Sequence, residues 1–159
     1  MANLYPKTQE NFSQLKYAAD LVDASGVVEL VENWRIEDGL QVGRGGRPPY
    51  VTLRTAIVLW VHMALTKRPQ LVARMSEVVA FGMKPYMRDY FSLVNEDVDL
   101  TTVEGRLNCN NDWYNRIWRG LERVRATMEP YPQVSRHGRH TVDEWLSLIH
   151  ISEPTRQEA

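Results

Sequence analysis

The sequence is poor in cysteine and lacks a long hydrophobic run. Cys109 is the only cysteine among 159 residues, which excludes an internal disulfide framework and a zinc module built on several cysteines. The longest uncharged apolar run covers residues 55–66, well short of the roughly 20 residues that a membrane-spanning helix needs. Because the residues after Met1 are polar, we expect no secretory signal. These absences predict a cytoplasmic protein with no membrane partner.

Phenylalanine is also scarce, with three residues against five Trp and seven Tyr. Amphipathic rings suit a small core whose rim stays hydrated or meets a partner. A composition with 43% apolar and 25% charged residues is that of an ordinary globular protein, and the length allows one medium-sized domain.

Acidic and basic side chains are segregated along the chain, although the formal net charge is only −1. Residues 1–40 carry three basic and seven acidic side chains, whereas residues 41–90 carry eight basic and two acidic ones. Residues 91–104 contain four acidic and no basic side chains. A nearly neutral chain of this kind can present a basic surface. Alternating charge blocks can equally be solvated faces that attract one another, so both interpretations stay open.

Apolar residues recur at helical spacing along almost the whole chain, and no segment alternates strictly. The pattern predicts an all-α fold, a compact multi-helix bundle over residues 1–132, followed by a basic linker at 133–145. Helices are predicted at 9–22, 26–38, 53–66, 69–81 and 85–90, after the capping box at 101–104, and at 112–128. The predicted N-caps are Ser25, Thr52 and Asn111.

Individual apolar faces follow from the same spacing. One face of helix 9–22 is predicted to consist of Phe12, Leu15, Ala19 and Val22. Residues 56–61 are apolar nearly all round, which predicts that helix 53–66 is the buried central helix. The apolar face of the second helix is predicted to consist of Val27, Leu30, Val31 and Trp34. In helix 112–128 one stripe includes Ile117, Trp118 and Leu121, and we predict that Trp118 and Leu121 lie in the core.

Helices 53–66 and 69–81 have the order and length of a helix-turn-helix, with Lys67 and Arg68 at the break. The second helix would offer Gln70 and Arg74 to base edges in the major groove. Phosphate contacts would come from the neighbouring cations and from those of helix 112–128, namely Arg44, Arg47, Arg54, Lys67, Arg68, Arg116, Arg119 and Arg123. Any helical hairpin in a bundle gives the same pattern, so a plain bundle is the alternative.

No arrangement of residues predicts a catalytic or metal site. Cys109 has no nearby histidine, and His137 and His140 flank a glycine in the polar linker. The acidic loop around Glu96 lacks the spacing and glycine of a calcium-binding loop. His62 is expected to be a core histidine with a backbone or tyrosine partner.

The end of the chain, residues 146–156, reads LSLIHISEPTR and resembles the translation of a sequencing adapter. This resemblance implies that residues 146–159 are a non-native tail. The alternative is a native helix started by the capping box of Thr141 and Glu144.

Three stretches together resemble the N-terminal region of bacterial insertion-sequence transposases of the actinobacterial type. They are ADLVDASGVVELVENW at 19–34, GRGGRPPYVTLRTAIVLWV at 43–61 and WYNRIWRGLERVRATMEPYP at 113–132. The resemblance implies a helical domain that binds double-stranded DNA at the element ends. It also implies a downstream RNase H-like core whose Asp-Asp-Glu triad holds divalent metal such as Mg²⁺.

We therefore expect a DNA-binding transposase fragment that lacks the catalytic core, has no enzymatic activity and holds no cofactor. A homo-oligomer is left open. The alternatives are a helix-turn-helix module of the transcription-regulator type and a helical protein–protein interaction domain that uses its Trp and Tyr surface.

Overall fold

A computed structural model of the chain describes residues 9–39 and 47–128. Its α-helices are α1 (Phe12–Ser25), α2 (Val27–Glu37), α3 (Leu53–Leu65), α4 (Val72–Glu77), α5 (Pro85–Tyr90) and α6 (Val103–Met128). A π-helical turn, Val78–Gly82, continues α4 directly. Within the described residues there is no strand, and the helices up to Thr127 form one compact unit, so the predicted all-α fold is confirmed. Arg44, the linker at 133–145 with its two histidines, and the tail at 146–159 lie outside the described residues.

The core is built mainly where α1 packs on α3. Of the predicted apolar face of α1, Leu15, Ala19 and Val22 are buried and Phe12 is half-buried, and Ala18 is buried as well. The Asn11 carboxamide oxygen accepts hydrogen bonds from the backbone amides of residues 13 and 14, which starts this helix. Local capping chemistry and apolar spacing therefore account for α1 without reference to the rest of the chain.

Of the N-caps predicted for α2 and α3, the one for α3 is confirmed and the one for α2 is displaced by one residue. The Thr52 hydroxyl accepts the Thr55 amide at 3.1 Å, so Thr52 is the N-cap of α3 as predicted. The residue that precedes α2 is Gly26, one position later than the predicted cap Ser25. Gly26 has a φ of 69°, which lets α1 end and α2 begin without a connecting loop. The Ser25 hydroxyl still accepts the Val27 amide at 3.2 Å.

Two predicted apolar faces are more exposed than expected. In α2 only Val31 is buried, while Leu30 and Trp34 are exposed because no other described helix covers that side. Helix α3 is not buried on every side, since Trp60 and Leu65 are exposed. The α3 residues that face the core include Ala56, Val58, Leu59, His62 and Met63.

The helix predicted at 69–81 begins later and changes pitch. It starts at Val72, and its second half is the π-helical turn. The Arg88 guanidinium donates to the Val79 carbonyl at 2.7 and 3.2 Å and to the Ala80 carbonyl at 2.9 Å. Burial lowers the pKa of this guanidinium. Arg88 thus satisfies the carbonyls that the wide turn leaves without a helical partner.

Helix α6 is a single helix of 26 residues, so the prediction of two helices with an N-cap at Asn111 was wrong. Cys109 and Trp113 are both buried on the same side of α6. Their packing stabilises the helix across the neighbouring asparagines. The first turn needs Gly105, because a Cβ there would lie 1.9 Å from the Asp99 carbonyl oxygen. The helix is therefore anchored to the preceding loop at its start.

The buried row of α6 consists of Trp113, Ile117, Gly120 and Val124. The prediction that Trp118 and Leu121 lie in the core was wrong, because both are only half-buried. A Cβ at Gly120 would meet Val51 at 3.2 Å and Ala56 at 3.4 Å, so the small residue allows α6 to approach α3 closely. None of the helices in the described parts of the chain combines the length and hydrophobicity that crossing a membrane requires.

Candidate nucleic-acid interface

Three arginines, Arg116, Arg119 and Arg123, follow one side of α6 at positions i, i+3 and i+7. Together with Arg35 of α2 and Arg47 they form what we call the arginine face. The Arg35 guanidinium donates to the Arg123 carbonyl at 3.3 Å, which joins the end of α2 to α6. Arg123 in turn donates to the Val51 carbonyl at 3.3 Å, which holds the segment before α3 against α6. The arginine face therefore draws on three separate parts of the chain.

Positive charge is concentrated at one end of this face. The pKa of the Arg123 guanidinium is lowered by burial and further by the neighbouring charges of Arg35 and Arg119. Arg119 is exposed and forms no ion pair with another described residue. Like charges held this close raise the local positive potential, and a polyanion would relieve their repulsion.

At the other end of the face, cations and aromatic rings stack in layers. The Arg47 guanidinium lies 4.6 Å from the centre of the Tyr50 ring, and the Arg116 guanidinium lies 4.2 Å from the same ring. Arg116 also lies 4.8 Å from the centre of the Trp113 ring. Cation–π contacts of this kind hold a guanidinium by its flat face and leave the N–H groups at its edge able to donate.

The N–H groups at the edge of the Arg116 guanidinium donate to a carboxylate in this structure. Its two terminal nitrogens donate to Glu96 at 2.7 and 3.3 Å, and the Arg116 side chain is only 13% exposed while that of Glu96 is 38% exposed. A carboxylate and a phosphate offer the guanidinium fork similar pairs of oxygens. Glu96 therefore sits where a phosphate group would compete for Arg116.

The residues predicted to read bases from helix α4 are engaged within the chain. Gln70 lies just before α4, and its amide oxygen accepts the indole N–H of Trp60. The Arg74 guanidinium donates to Glu77 at 2.9 and 3.1 Å. Each contact would have to be exchanged before these side chains could reach a base. Lys67 is exposed at a positive φ of 54°.

Arg54, predicted to contact phosphate, pairs with Asp23 of α1 at 2.8 and 2.9 Å. The hydrogen bond from Arg54 is the main reason that the pKa of the Asp23 carboxyl is lowered. This pair ties α3 to α1 at the surface, so Arg54 contributes little net positive charge there.

Arg68 lies at a buried ion cluster made with Glu10 and His62. It donates to the two Glu10 carboxylate oxygens at 2.6 and 2.9 Å, and His62 Nε2 lies 2.9 Å from the same carboxylate. The expectation of a core histidine is confirmed, since His62 is fully buried. Its predicted partner was wrong, because the contact is a carboxylate supplied from 52 residues away rather than a backbone or tyrosine group. Among the described residues, His62 Nδ1 has no hydrogen-bond partner.

The pKa of Glu10 reflects this cluster. Burial alone would raise it, but hydrogen bonds from His62 and Arg68 and their charges lower the pKa to about 2. Glu10 and Arg68 also line a cavity of about 600 Å³, together with Met63, Val78 and Phe81. Because the carboxylate and the guanidinium already satisfy each other, we assign this cluster a structural role.

The sequence-predicted residues therefore fall into two groups. Arg47, Arg116, Arg119 and Arg123 come together on the arginine face, where Arg116 is paired with Glu96, whereas Arg54, Arg68 and Arg74 are paired with carboxylates elsewhere. Lys67 and Gln70 belong to neither group. Sequence reasoning missed Arg35 and Tyr50. Arg35 lies in an acidic stretch of sequence, and its role depends on a contact 88 residues away, so no local signal could have found it.

No three His, Cys, Asp or Glu side chains in residues 9–39 and 47–128 are arranged to hold a metal ion. Comparisons of the chain with protein families, with curated proteins and with solved structures found no match.

Proposed function

We propose that this chain binds double-stranded DNA through the arginine face, as the helical N-terminal part of an insertion-sequence transposase. The observation that carries the proposal of DNA binding is the convergence of five arginines from α2, the segment before α3 and α6 on one surface. Such a surface suits the phosphate backbone, whose contacts supply most of the affinity for duplex DNA.

The assignment to a transposase rests on the resemblance of the three stretches given above. Two of them contribute directly to the arginine face. Stretch 43–61 contains Arg47 and Tyr50, and stretch 113–132 contains the three α6 arginines of that face. In a transposase of this kind the domain would recognise the element ends, and cleavage with Mg²⁺ would be carried out by the downstream Asp-Asp-Glu core.

A helix-turn-helix made of α3 and α4 is the alternative recognition surface. We favour the arginine face because Gln70 and Arg74 hold intrachain partners and α4 has only six residues before the π-helical turn. Changing Gln70 or Arg74 to Ala should then leave the preference for a terminal inverted repeat over a scrambled duplex unchanged. A loss of preference of about 1–3 kcal/mol would instead assign base reading to α4.

The test of DNA binding is a salt titration of affinity for duplex DNA. Arg119→Gln is the sharpest variant, because this side chain is exposed and its loss removes no ion pair within the described residues. For one lost phosphate contact, the slope of log affinity against log salt should become shallower by about 0.9. The loss of affinity should be similar on the inverted repeat and on the scrambled duplex, because phosphate contacts carry no sequence information.

Lys84→Gln is the matched control, since it removes one exposed positive charge, just before α5, that is not one of the arginines of the arginine face. It should leave the salt slope unchanged. If both variants change the salt slope equally, DNA binding depends on net charge rather than on the arginine face. No salt-dependent binding by the unchanged chain would remove the proposal and favour the alternative of a protein–protein interaction domain.

A further inference from the structure

We propose that Arg116 binds one phosphate of the DNA backbone through both of its terminal nitrogens, and that Tyr50 is the positioning residue that holds its guanidinium for this contact. The inference rests on the proposed function, and it distinguishes one arginine of the arginine face from the others by geometry rather than by charge. Arg116 is a donor whose orientation is fixed in advance, whereas the exposed Arg119 contributes its positive charge.

The Arg116 guanidinium is held by two aromatic rings. The ring of Trp113, one turn earlier on α6, lies 4.8 Å from the guanidinium. The ring of Tyr50 lies 4.2 Å from it and belongs to the segment before α3. The Arg116 side chain is consequently only 13% exposed, although it belongs to the arginine face. An arginine that is restrained in this way has little rotamer freedom left to lose when an anion binds.

The position of Tyr50 is fixed by its neighbour Val51. Val51 is 1% exposed, and a Cβ at Gly120 would lie 3.2 Å from its side chain, so Val51 packs directly against α6. The Val51 carbonyl also accepts a hydrogen bond from Arg123 at 3.3 Å. These contacts hold the backbone beside Tyr50, which is itself half-buried, and they bring its ring to Arg116 from a distant part of the sequence.

The contact with Glu96 shows which atoms of Arg116 bind an anion. The two terminal nitrogens donate to the two oxygens of this one carboxylate, at 2.7 and 3.3 Å. The Glu96 side chain is 38% exposed, so it can leave without uncovering the core, while the two rings still hold the guanidinium. A phosphate offers a similar pair of oxygens and can replace the carboxylate. The anion bound to Arg116 is then Glu96 in the free chain and a backbone phosphate in the complex.

Arg119, one turn further along α6, provides the comparison within the same helix. It is exposed, and it forms neither an ion pair nor a cation–π contact with another described residue. A lysine at position 119 would offer a phosphate the same charge, because no ring there holds a guanidinium plane. A lysine at position 116 would keep the charge but lose the planar fork, so it could not make the paired contact.

The first test compares Arg116→Lys with the matched control Arg119→Lys in binding titrations on the scrambled duplex over a range of salt concentrations. Both variants keep the net charge, so both should keep the slope of log affinity against log salt. Arg116→Lys should lower the affinity by about tenfold at every salt concentration, because a paired contact becomes a single one. Arg119→Lys should bind like the unchanged chain. Equal affinities of the two lysine variants would overturn the assignment to Arg116.

The second test asks whether Tyr50 acts through Arg116. Tyr50→Leu removes the ring and should lower duplex affinity several-fold, whereas Tyr50→Phe keeps the ring and should bind like the unchanged chain. When Arg116 is already changed to Gln, Tyr50→Leu should reduce the affinity clearly less, because the group that Tyr50 positions is gone. An undiminished loss in that background would show that Tyr50 does not act through Arg116, as would a Tyr50→Phe variant that binds as weakly as Tyr50→Leu.

The same titrations distinguish a failure of this inference from a failure of the proposed function. If the unchanged chain shows no salt-dependent affinity for duplex DNA, both are overturned. If the unchanged chain binds and the two lysine variants do not differ, DNA binding by the arginine face stands and only the role of Arg116 is withdrawn. Circular dichroism spectra and urea unfolding midpoints that match the unchanged chain establish that each variant is folded.

Discussion

The stability of the fold should depend on pH through Glu10. This carboxyl has a pKa of about 2 in the folded chain against 4.5 for an unperturbed glutamate, and its side chain is only 8% exposed. At about 1.4 kcal/mol per pKa unit, the difference corresponds to about 3–4 kcal/mol of stability. Because the folded pKa is the lower one, the stabilisation is fully present above pH 4.5 and is lost as the pH falls toward 2.

Glu10→Gln removes the charge and keeps the shape of the side chain. At neutral pH it leaves Arg68 and His62 without their carboxylate, so the variant should be less stable than the unchanged chain by about 3–4 kcal/mol. As the pH falls from 5 toward 2 the unchanged chain also loses this ionised group, and the stability difference between the two proteins should shrink toward zero.

Urea denaturation at a series of pH values measures this difference directly. Comparing the two proteins at each pH cancels the contributions of other carboxyls, including Asp23, whose pKa is also lowered. Glu37→Gln, an exposed glutamate at the end of α2, is the control and should differ little from the unchanged chain at any pH. A stability difference that stays constant between pH 7 and 2.5 would refute the assignment of this stabilisation to the ionised Glu10.

Three further predictions concern α6. Ile117→Ala should cost about 2–5 kcal/mol in thermal or urea unfolding, and Leu121→Ala clearly less, because Ile117 is fully buried and Leu121 half-buried; equal losses would contradict this order. Gly105→Ala should destabilise the chain by roughly 1–3 kcal/mol, since the added Cβ meets the Asp99 carbonyl, and an unchanged midpoint would show that the loop adapts freely. Glu96→Gln should raise duplex affinity by a few-fold in a binding titration, and unchanged affinity would show that Glu96 does not compete with phosphate for Arg116.

Features that depend on neighbouring residues could be predicted from the sequence. The Thr52 cap and the stripe of α1 require only a hydroxyl beside a helix start and apolar residues at helical spacing, and both are present as predicted. The predicted N-cap at Asn111 failed for the opposite reason. Asparagine there looks like a helix start, but the buried Cys109 and Trp113 on either side keep α6 continuous.

The candidate site likewise combines features that neighbouring residues determine with features that depend on distant ones. Helical spacing predicts that Arg116, Arg119 and Arg123 share one side of α6, and they do. Which cations are neutralised could not be predicted, because Arg68 pairs with a carboxylate 58 residues away. The roles of Arg35 and Tyr50 likewise arise only when distant segments meet.

The contact between Glu10 and the end of the π-helical turn also bears on how fast the chain unfolds. The Glu10 amide donates to the Gly82 carbonyl at 2.9 Å, and its side chain binds His62 and Arg68, so one residue closes three long loops. Loops of this length close at an entropic cost, so these bonds should form late, after the local helices. Interactions that form after the folding barrier slow unfolding without speeding folding. Glu10 should therefore lengthen the lifetime of the folded chain more than it shortens the time needed to reach it.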